Sequence, residues 1–179
     1  MLNFRWGYSV TEEDPIRRHR LNVCKTFIRI PIPPVLDVGD RNFVGVNLNP
    51  LADNTLSCDF NKEILAPREK YETVFCFEVL EHVKNPGLFC DNLRKLVGGK
   101  LYLSTPLAGL SKPGPHHFAE YRWETLETLL VEAGFKINRV KIFRTVPFRY
   151  IFRCMIGIRP FIRAIFWFAC VKTVLVECE

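Results

Sequence analysis

The sequence predicts a doubly wound α/β fold, in which strands and helices alternate around a largely parallel sheet. Residues 72–104 read as a buried strand, a tight loop, a helix, a glycine turn at Gly98 and Gly99, and a second buried strand, which is the repeating unit of such a sheet. A further helical pattern at 123–133 ends at Gly134, a residue typical of helix C-termini. The 179 residues are 48% hydrophobic, enough for one sizeable core. We therefore expect a single domain, 1–179.

The other elements follow from periodicity and turn residues. Residues 11–29 have helical spacing, with Thr11 as N-cap, and their basic run at 17–20 is predicted to be solvated. The proline-rich segment 31–34 ends this helix. The predicted strands are 35–38, 43–48, 55–60, 72–77, 100–104, 136–143 and 172–177, and the later helices are 86–96 and 123–133.

The connection between the first two predicted strands is unusually short. About three residues follow Gly39 before the strand at 43–48 begins. A parallel crossover needs roughly a dozen residues or more. The sequence thus predicts a missing or truncated first crossover helix, replaced by a tight turn or an antiparallel excursion.

Two segments carry a family resemblance. Residues 74–83, which end in Glu-Val-Leu-Glu-His-Val, and residues 96–106, which contain Gly-Gly-Lys-Leu-Tyr-Leu-Ser-Thr-Pro, resemble the fourth and fifth strands of class I S-adenosylmethionine (SAM)-dependent methyltransferases of type 11. The resemblance implies a Rossmann-like sheet, SAM as cofactor and a last strand that runs antiparallel between its predecessors. The long connection before residue 172 agrees with that topology. The domain then divides into an N-terminal helix (11–29), a core (35–147), a helical insertion (148–168) and the last strand (172–178).

The resemblance also implies the residues that bind the cofactor. They follow the predicted strands in order along the chain: Asp37, Gly39, Asn47, Asp59, Phe60, Glu78 and His82. Asp59 and Phe60 match the family's contacts with adenine, although an Asp before a loop is often only a cap. Glu78 is expected to hold the ligand or to cap the next helix. A lone His such as His82 is more often structural than chemical.

Two of these positions, Gly39 and Asn47, depart from the family pattern. The glycines of the first motif stop at Gly39, so the motif is shortened and degenerate. Asn47 stands where the family has an acidic residue that accepts both ribose hydroxyls. An amide accepts a hydrogen bond without the strength that a charge adds, so we expect weaker binding, and Asn47 is otherwise a strand-end turn former.

A loop after the fifth predicted strand supplies the candidate catalytic residues His116, His117 and Tyr121. Residues 117–135 resemble the family's stretch over the acceptor pocket, and imidazole can accept a proton from a hydroxyl near neutral pH. Alternatively, His117 only hydrogen-bonds the loop while Tyr121 and Trp123 anchor it. No metal is expected, because adjacent His residues and scattered Cys residues lack ligand spacing.

The segment 148–168 combines arginines with large apolar side chains. On a helical wheel its four arginines share a third of the circumference: Arg149, Arg153, Arg159 and Arg163. This pattern predicts peripheral contact with an anionic membrane surface. Pro160 and the charges disfavour a membrane span. The alternative is a broken helical pair that packs on the sheet or on a second subunit of a homodimer.

Composition narrows the functional classes. Seven Cys residues without C-x-x-C spacing, and no secretory segment at residues 1–8, predict reduced thiols and a cytoplasmic location. The net charge of +6 comes without a nucleic-acid motif, so no nucleic-acid partner is expected. The leading function is a SAM-dependent methyltransferase acting on a small-molecule, lipid-linked or glycan-type acceptor. The alternative is a non-catalytic binding or membrane-associated scaffold, whereas the missing G-x-G-x-x-G disfavours a nicotinamide oxidoreductase.

Overall fold

The computed structural model describes residues 15–38, 62, 69–109, 117–146 and 171–179. Within these ranges the sequence forms three α-helices, five strands and one 3₁₀ turn. The helices are α1 (Pro15–Phe27), α2 (Pro86–Leu96) and α3 (Trp123–Glu132), the strands are β1 (Val35–Asp37), β2 (Tyr71–Phe77), β3 (Val97–Leu107), β4 (Ile137–Arg144) and β5 (Lys172–Cys178), and the 3₁₀ turn is Leu80–His82.

The described strands form one sheet in the order β1-β2-β3-β5-β4. Strands β1, β2 and β3 are mutually parallel, and β5 lies antiparallel between β3 and β4. The doubly wound class and the inserted antiparallel last strand are therefore confirmed. The predicted strands 43–48 and 55–60, the short first connection and the segment 148–168 lie outside the described residues.

Helices cover both faces of this sheet, which explains why the central strands β2 and β5 are buried on both faces along most of their length. Side chains alternate along β2, so Val74 and Cys76 join one core with helices α2 and α3, while Phe75 and Phe77 point to the other face. There, Cys24 and Phe27 of α1 pack in a cluster with these phenylalanines, Tyr102 and Leu175. The N-terminal helix is thereby fixed against the strands whose ends form the site described below.

The glycine pair after α2 is not the turn that the sequence predicted. Val97 directly follows α2, and Gly98 and Gly99 already belong to β3. A Cβ atom at Gly99 would collide with the backbone carbonyl oxygen of Glu72 on the neighbouring strand. The pair thus permits β3 to approach the start of β2 closely, in a region where the pairing register shifts.

The basic run of α1 is also less solvated than predicted. Arg18 is exposed, but the guanidinium of Arg20 reaches Glu78 at the end of β2. Nε2 of His19 lies 3.1 Å from the backbone oxygen of Arg144 on β4. Because α1 packs flat on the sheet, one side of its basic run contacts strand ends rather than solvent.

A buried carboxylate joins three strands. Glu177 of β5 is 2% exposed, and it accepts a 2.7 Å hydrogen bond from Lys100 of β3 and another from Nε of Arg139 on β4. Arg139 also donates to the Phe27 carbonyl oxygen at 2.8 Å, which ties α1 to the sheet. Burial works to raise the pKa of Glu177, but the hydrogen bonds from Lys100 and Arg139 outweigh it and hold that pKa below its ordinary value.

We expect Glu177→Gln to lower the free energy of unfolding by about 2 kcal/mol at pH 7, because two cations lose a shared counter-charge. A depressed carboxyl pKa stabilises the fold above the unfolded-state pKa of about 4.3, and this stabilisation is lost as the pH falls through the folded-state pKa. The gap between wild type and variant should therefore shrink in acid. Urea unfolding at a series of pH values measures it.

The control for this variant is Glu179→Gln. Glu179 pairs with Lys136 at 2.8 Å, but both side chains are largely exposed, so solvent screens the pair. Its unfolding midpoint should stay close to that of the wild type. Identical unfolding midpoints for wild type and Glu177→Gln at pH 7 would contradict the expected contribution of Glu177 to stability.

Candidate active site

The carboxyl ends of the parallel strands β1, β2 and β3 lie at one edge of the sheet. In open α/β sheets, ligands bind at this edge. Asp37 is the last residue of β1 and is in register with Phe75 of β2. Glu78 directly follows β2, beside Ser104 of β3. Two of the predicted cofactor residues, Asp37 and Glu78, are thus brought to the same edge.

Glu78 has a backbone conformation that is uncommon for its residue type. Its φ of 55° lies in the left-handed region, and its side chain is buried, with the residue 8% exposed. The backbone N–H donates to the Ser104 carbonyl oxygen at 2.9 Å, and Oε1 accepts from the Ser104 hydroxyl at 2.9 Å. The alternative that Glu78 caps the next helix is wrong, because Asn85 caps α2 by accepting from Leu88 N–H at 3.2 Å.

Arg20 supplies a charge partner that the sequence did not indicate. Its guanidinium lies 2.5 Å from Oε2 of Glu78, across 58 positions of the chain. One turn later on the same helix, Cys24 is buried against the sheet, and burial, followed by the charge of Glu78, raises the pKa of its thiol to about 12. The i, i+4 spacing of Arg20 and the apolar Cys24 was the available signal that Arg20 faces the sheet.

A small cavity lies between α1 and this edge. Its volume is about 10 Å³, close to the space that one water molecule needs. The lining residues come from α1 and from four strands: Arg20, Cys24, Phe77, Glu78, Ser104, Phe143 and Thr173. The Arg20–Glu78 ion pair therefore borders a small cavity whose surface is almost entirely apolar.

The 3₁₀ turn after Glu78 carries a second buried carboxyl group. Glu81 is 1% exposed and its Oε2 accepts from the Thr105 hydroxyl at 3.1 Å. Burial, and next the charge of Glu78, raises the pKa of Glu81 well above its ordinary value. Nε2 of His82 lies 3.9 Å from Oε1 of Glu81, and the His82 ring meets the His117 ring edge-on at a centroid distance of 5.0 Å.

Backbone hydrogen bonds hold the 117–121 loop over this turn. Phe118 N–H donates to the Glu81 carbonyl oxygen at 2.8 Å, and Ala108 N–H donates to the Tyr121 carbonyl oxygen at 2.8 Å. The Nδ1 atom of His117 lies 2.9 Å from Oε1 of Glu120. The predicted residues His82 and His117 are therefore neighbours, and the carboxylate of Glu120 fixes the orientation of the His117 ring.

Tyr121 contributes to the core rather than to an open pocket. It is 5% exposed, and its hydroxyl makes a long 3.5 Å contact with the Leu80 carbonyl oxygen. Burial, followed by the nearby Cys90 and Glu81, raises its pKa to about 12. Trp123 packs on the same core. This arrangement favours the alternative in which Tyr121 and Trp123 anchor the loop over a chemical role for Tyr121.

The remaining candidate residues lie outside the described residues and stay predictions: Gly39, Asn47, Asp59, Phe60 and His116. Sequence reasoning missed four residues that contact the candidates: Arg20, Glu81, Ser104 and Glu120. It also missed Thr105, which donates a hydrogen bond to Glu81. The signal for Glu81 and Ser104 was present, because Glu81 follows a buried strand and Ser104 is the last residue of the predicted strand 100–104. Glu120 is three positions from His117, close enough to be suspected as its partner.

This fold and edge geometry define a class I methyltransferase-type domain. A family model described as "Methyltransferase domain" matches residues 12–140. The chain therefore belongs to this methyltransferase family, and the resemblance inferred from residues 74–83 and 96–106 is confirmed. No curated protein matches the sequence.

Solved structures share the fold. Phosphoethanolamine N-methyltransferase 2 from Haemonchus contortus with SAM has a TM-score of 0.55 at 12% identity, covering 90% of this chain and 52% of that one. The complex of this enzyme with phosphomonomethylethanolamine and S-adenosylhomocysteine has a TM-score of 0.53, also at 12% identity, and the match covers 90% of this chain and 52% of that one. A putative methyltransferase from Bacillus halodurans gives 0.46 at 15% identity, with 68% of each chain covered. The chain spans about half the length of this nematode enzyme.

Proposed function

We propose that the chain binds SAM at the carboxyl ends of β1 and β2 and transfers the methyl group to a small-molecule acceptor beside the 117–121 loop. This proposal rests on the left-handed backbone conformation of Glu78. A non-glycine residue in the left-handed region costs on the order of 1–3 kcal/mol, and such residues cluster at ligand sites. Its position at the ligand-binding edge of a methyltransferase-family sheet points to the cofactor.

The donor set at this edge fits SAM. The cofactor carries a sulfonium, an α-ammonium group, ribose hydroxyls and a carboxylate, so it needs both acceptors and a cation. Asp37 and Glu78 supply acceptors at adjacent strand ends, and Arg20 supplies a cation that is already paired with Glu78. The Arg20–Glu78 pair is complementary to the zwitterionic amino-acid end of the cofactor.

Bound SAM supplies an activated methyl group, so little chemistry is left to the side chains. They must align the acceptor, exclude water and, for a hydroxyl acceptor, remove a proton. His117 is the described residue best suited to that proton, since Glu120 holds its Nδ1 and leaves Nε2 for the acceptor. His116, Asn47, Asp59 and Phe60 keep the roles that the family resemblance implies.

Calorimetric titration with SAM and S-adenosylhomocysteine tests the cofactor assignment. We expect binding, and we expect Glu78→Gln to weaken it by about 1–3 kcal/mol, roughly 5-fold to 150-fold, because Arg20 and the bound cofactor lose a charged acceptor. Glu127→Gln, on the exposed side of α3, is the matched control and should bind like wild type. If Glu78→Gln does not fold, Asp37→Asn provides the second variant. Absence of binding at millimolar ligand would overturn the proposal.

The acceptor class is the finer part of the proposal. We assign it to small-molecule, lipid-linked or glycan-type acceptors, and the phosphomonomethylethanolamine bound to the nematode enzyme suggests phosphorylated amines for the first panel. Release of S-adenosylhomocysteine reports turnover with each acceptor. Cofactor binding without turnover across all classes would favour the non-catalytic module that the sequence leaves as the second function.

We further propose that the chain works in the cytoplasm, at times at an anionic membrane surface. Four described cysteines are free and buried: Cys24, Cys76, Cys90 and Cys178. In the described part of the chain, no helix is both long and apolar enough to cross a bilayer. The segment 148–168 is the proposed contact, through its arginine stripe.

We expect the chain to sediment with anionic vesicles and not with neutral ones. Each arginine near such a surface contributes about 1 kcal/mol, so the double variant Arg153→Gln, Arg159→Gln should bind roughly tenfold or more weakly. Arg122→Gln, an exposed residue before α3, serves as the control. If the wild type stays in the supernatant with both vesicle types, segment 148–168 is instead a packing or dimerisation element.

A further inference from the structure

Three potential metal ligands lie close together where the 117–121 loop contacts the 3₁₀ turn. Glu81, His82 and His117 each offer one ligand atom, and these atoms all lie within 4.8 Å of one another. We propose that the three side chains bind a divalent transition-metal cation of the zinc type. The proposal does not depend on SAM binding, although it gives His117 a different task from proton removal.

The ligand types select the class of cation. Two imidazoles and one carboxylate form the three-ligand set of many catalytic zinc sites and of two-histidine, one-carboxylate sites for other transition metals. Mg²⁺ and Ca²⁺ prefer oxygen ligands alone. Three protein ligands also leave coordination positions open for water or for an oxygen atom of an acceptor.

The distances require only a modest closure. Ligand atoms around a tetrahedral cation at about 2.0–2.1 Å are roughly 3.4 Å apart. Nε2 of His82 already lies 3.9 Å from Oε1 of Glu81. The side chains of His82 and His117 are 23% and 20% exposed, so a cation has a route to them from solvent.

Outer contacts already orient the ligands. Glu120 holds Nδ1 of His117 at 2.9 Å, which directs Nε2 toward a ligand, as the carboxylate partners of metal-binding His residues commonly do. The Thr105 hydroxyl donates to Oε2 of Glu81 at 3.1 Å and leaves Oε1 facing His82. Two of the three ligands thus have a partner of the kind that metal sites use.

The charge at this position also favours a cation. Glu81 is 1% exposed, its Oε2 accepts from the neutral Thr105 hydroxyl, and Nε2 of His82 lies 3.9 Å from its Oε1. A buried carboxylate needs either a proton or a positive partner. A bound cation would provide that partner and would be shared with the two imidazoles.

The test uses Co²⁺ and Zn²⁺ alone, added to the metal-stripped full chain without SAM. We expect one equivalent to bind with micromolar or tighter affinity. His82→Ala and His117→Ala should each weaken binding at least about 100-fold, and Glu120→Gln, which removes a positioning carboxylate, about 10-fold to 100-fold. His19→Ala, a histidine on α1 that contacts Arg144, is the matched control and should bind like wild type.

The cobalt spectrum distinguishes binding at this site from binding to any of the seven cysteines of the chain. Nitrogen and oxygen ligands give visible d–d bands alone, whereas an intense near-ultraviolet thiolate band would assign the metal to cysteines and overturn the proposal. Undiminished binding by His82→Ala would overturn it as well, and circular dichroism confirms that each variant is folded. Because SAM is titrated separately, failure of metal binding leaves the cofactor assignment intact, and failure of SAM binding leaves the metal result intact.

Discussion

Replacing His117 by alanine is expected to lower methyl transfer at least about 100-fold while SAM affinity changes less than about twofold. General acid–base groups contribute roughly 10²-fold to 10⁴-fold to turnover. Loss of a ligand to a metal ion that activates the acceptor would lower turnover to a similar degree. Neither role involves the edge formed by Asp37 and Glu78. Steady-state kinetics with an identified acceptor, together with calorimetric titration of SAM, separates the two quantities.

The control for the His117 experiment is His19→Ala, which should retain wild-type turnover, because His19 contacts β4 on the opposite face of the sheet from α2 and α3. Glu120→Gln should show a smaller loss than His117→Ala, since it only releases the orientation of the ring. Parallel losses of turnover and SAM affinity in His117→Ala would show that the loop is purely structural. In that case the contacts of Phe118 with the 3₁₀ turn would be its main contribution.

The bounds of most described elements could be predicted because their local patterns agree with their tertiary environment. The strands at 71–77 and 172–178 are apolar on both faces, which is the environment of a central strand covered by helices. Gly98 and Gly99 were wrongly predicted to form a turn, because glycine pairs between a helix and a strand are usually turns. Whether Gly99 turns or pairs depends on how closely Glu72 approaches, and that distance is a property of two strands and not of the local sequence.

The sequence could place only those site residues that directly follow a predicted strand, because the ends of parallel strands meet at one edge of the sheet. Glu78 follows a buried strand, so it had to lie at the carboxyl edge of the sheet. Its partner Arg20 is 58 positions away, and Glu81 and His117 meet only because the loop after β3 folds back on the turn after β2. Side-chain pairing across separate elements depends on register and packing, for which the sequence contains no local signal.

The second large effect is expected at Gly99, whose replacement by alanine should lower the free energy of unfolding by about 3 kcal/mol. The new Cβ atom would meet the backbone of Glu72, which cannot rotate away as a side chain could. Either the pairing of β2 with β3 opens at this end, or β3 shifts along β2. Chemical denaturation of wild type and variant measures the loss.

The matched control is Gly87→Ala in the first turn of α2. A Cβ atom at Gly87 meets only Oδ1 of Asn85, at 3.8 Å, so the substitution should be neutral or stabilising by up to about 1 kcal/mol. The register of β3 also sets Ser104 beside Glu78 and Thr105 beside Glu81. The folded fraction of Gly99→Ala should therefore bind SAM more weakly than Gly87→Ala does, and equal stability of the two variants would show that the close approach of β3 to Glu72 is not required.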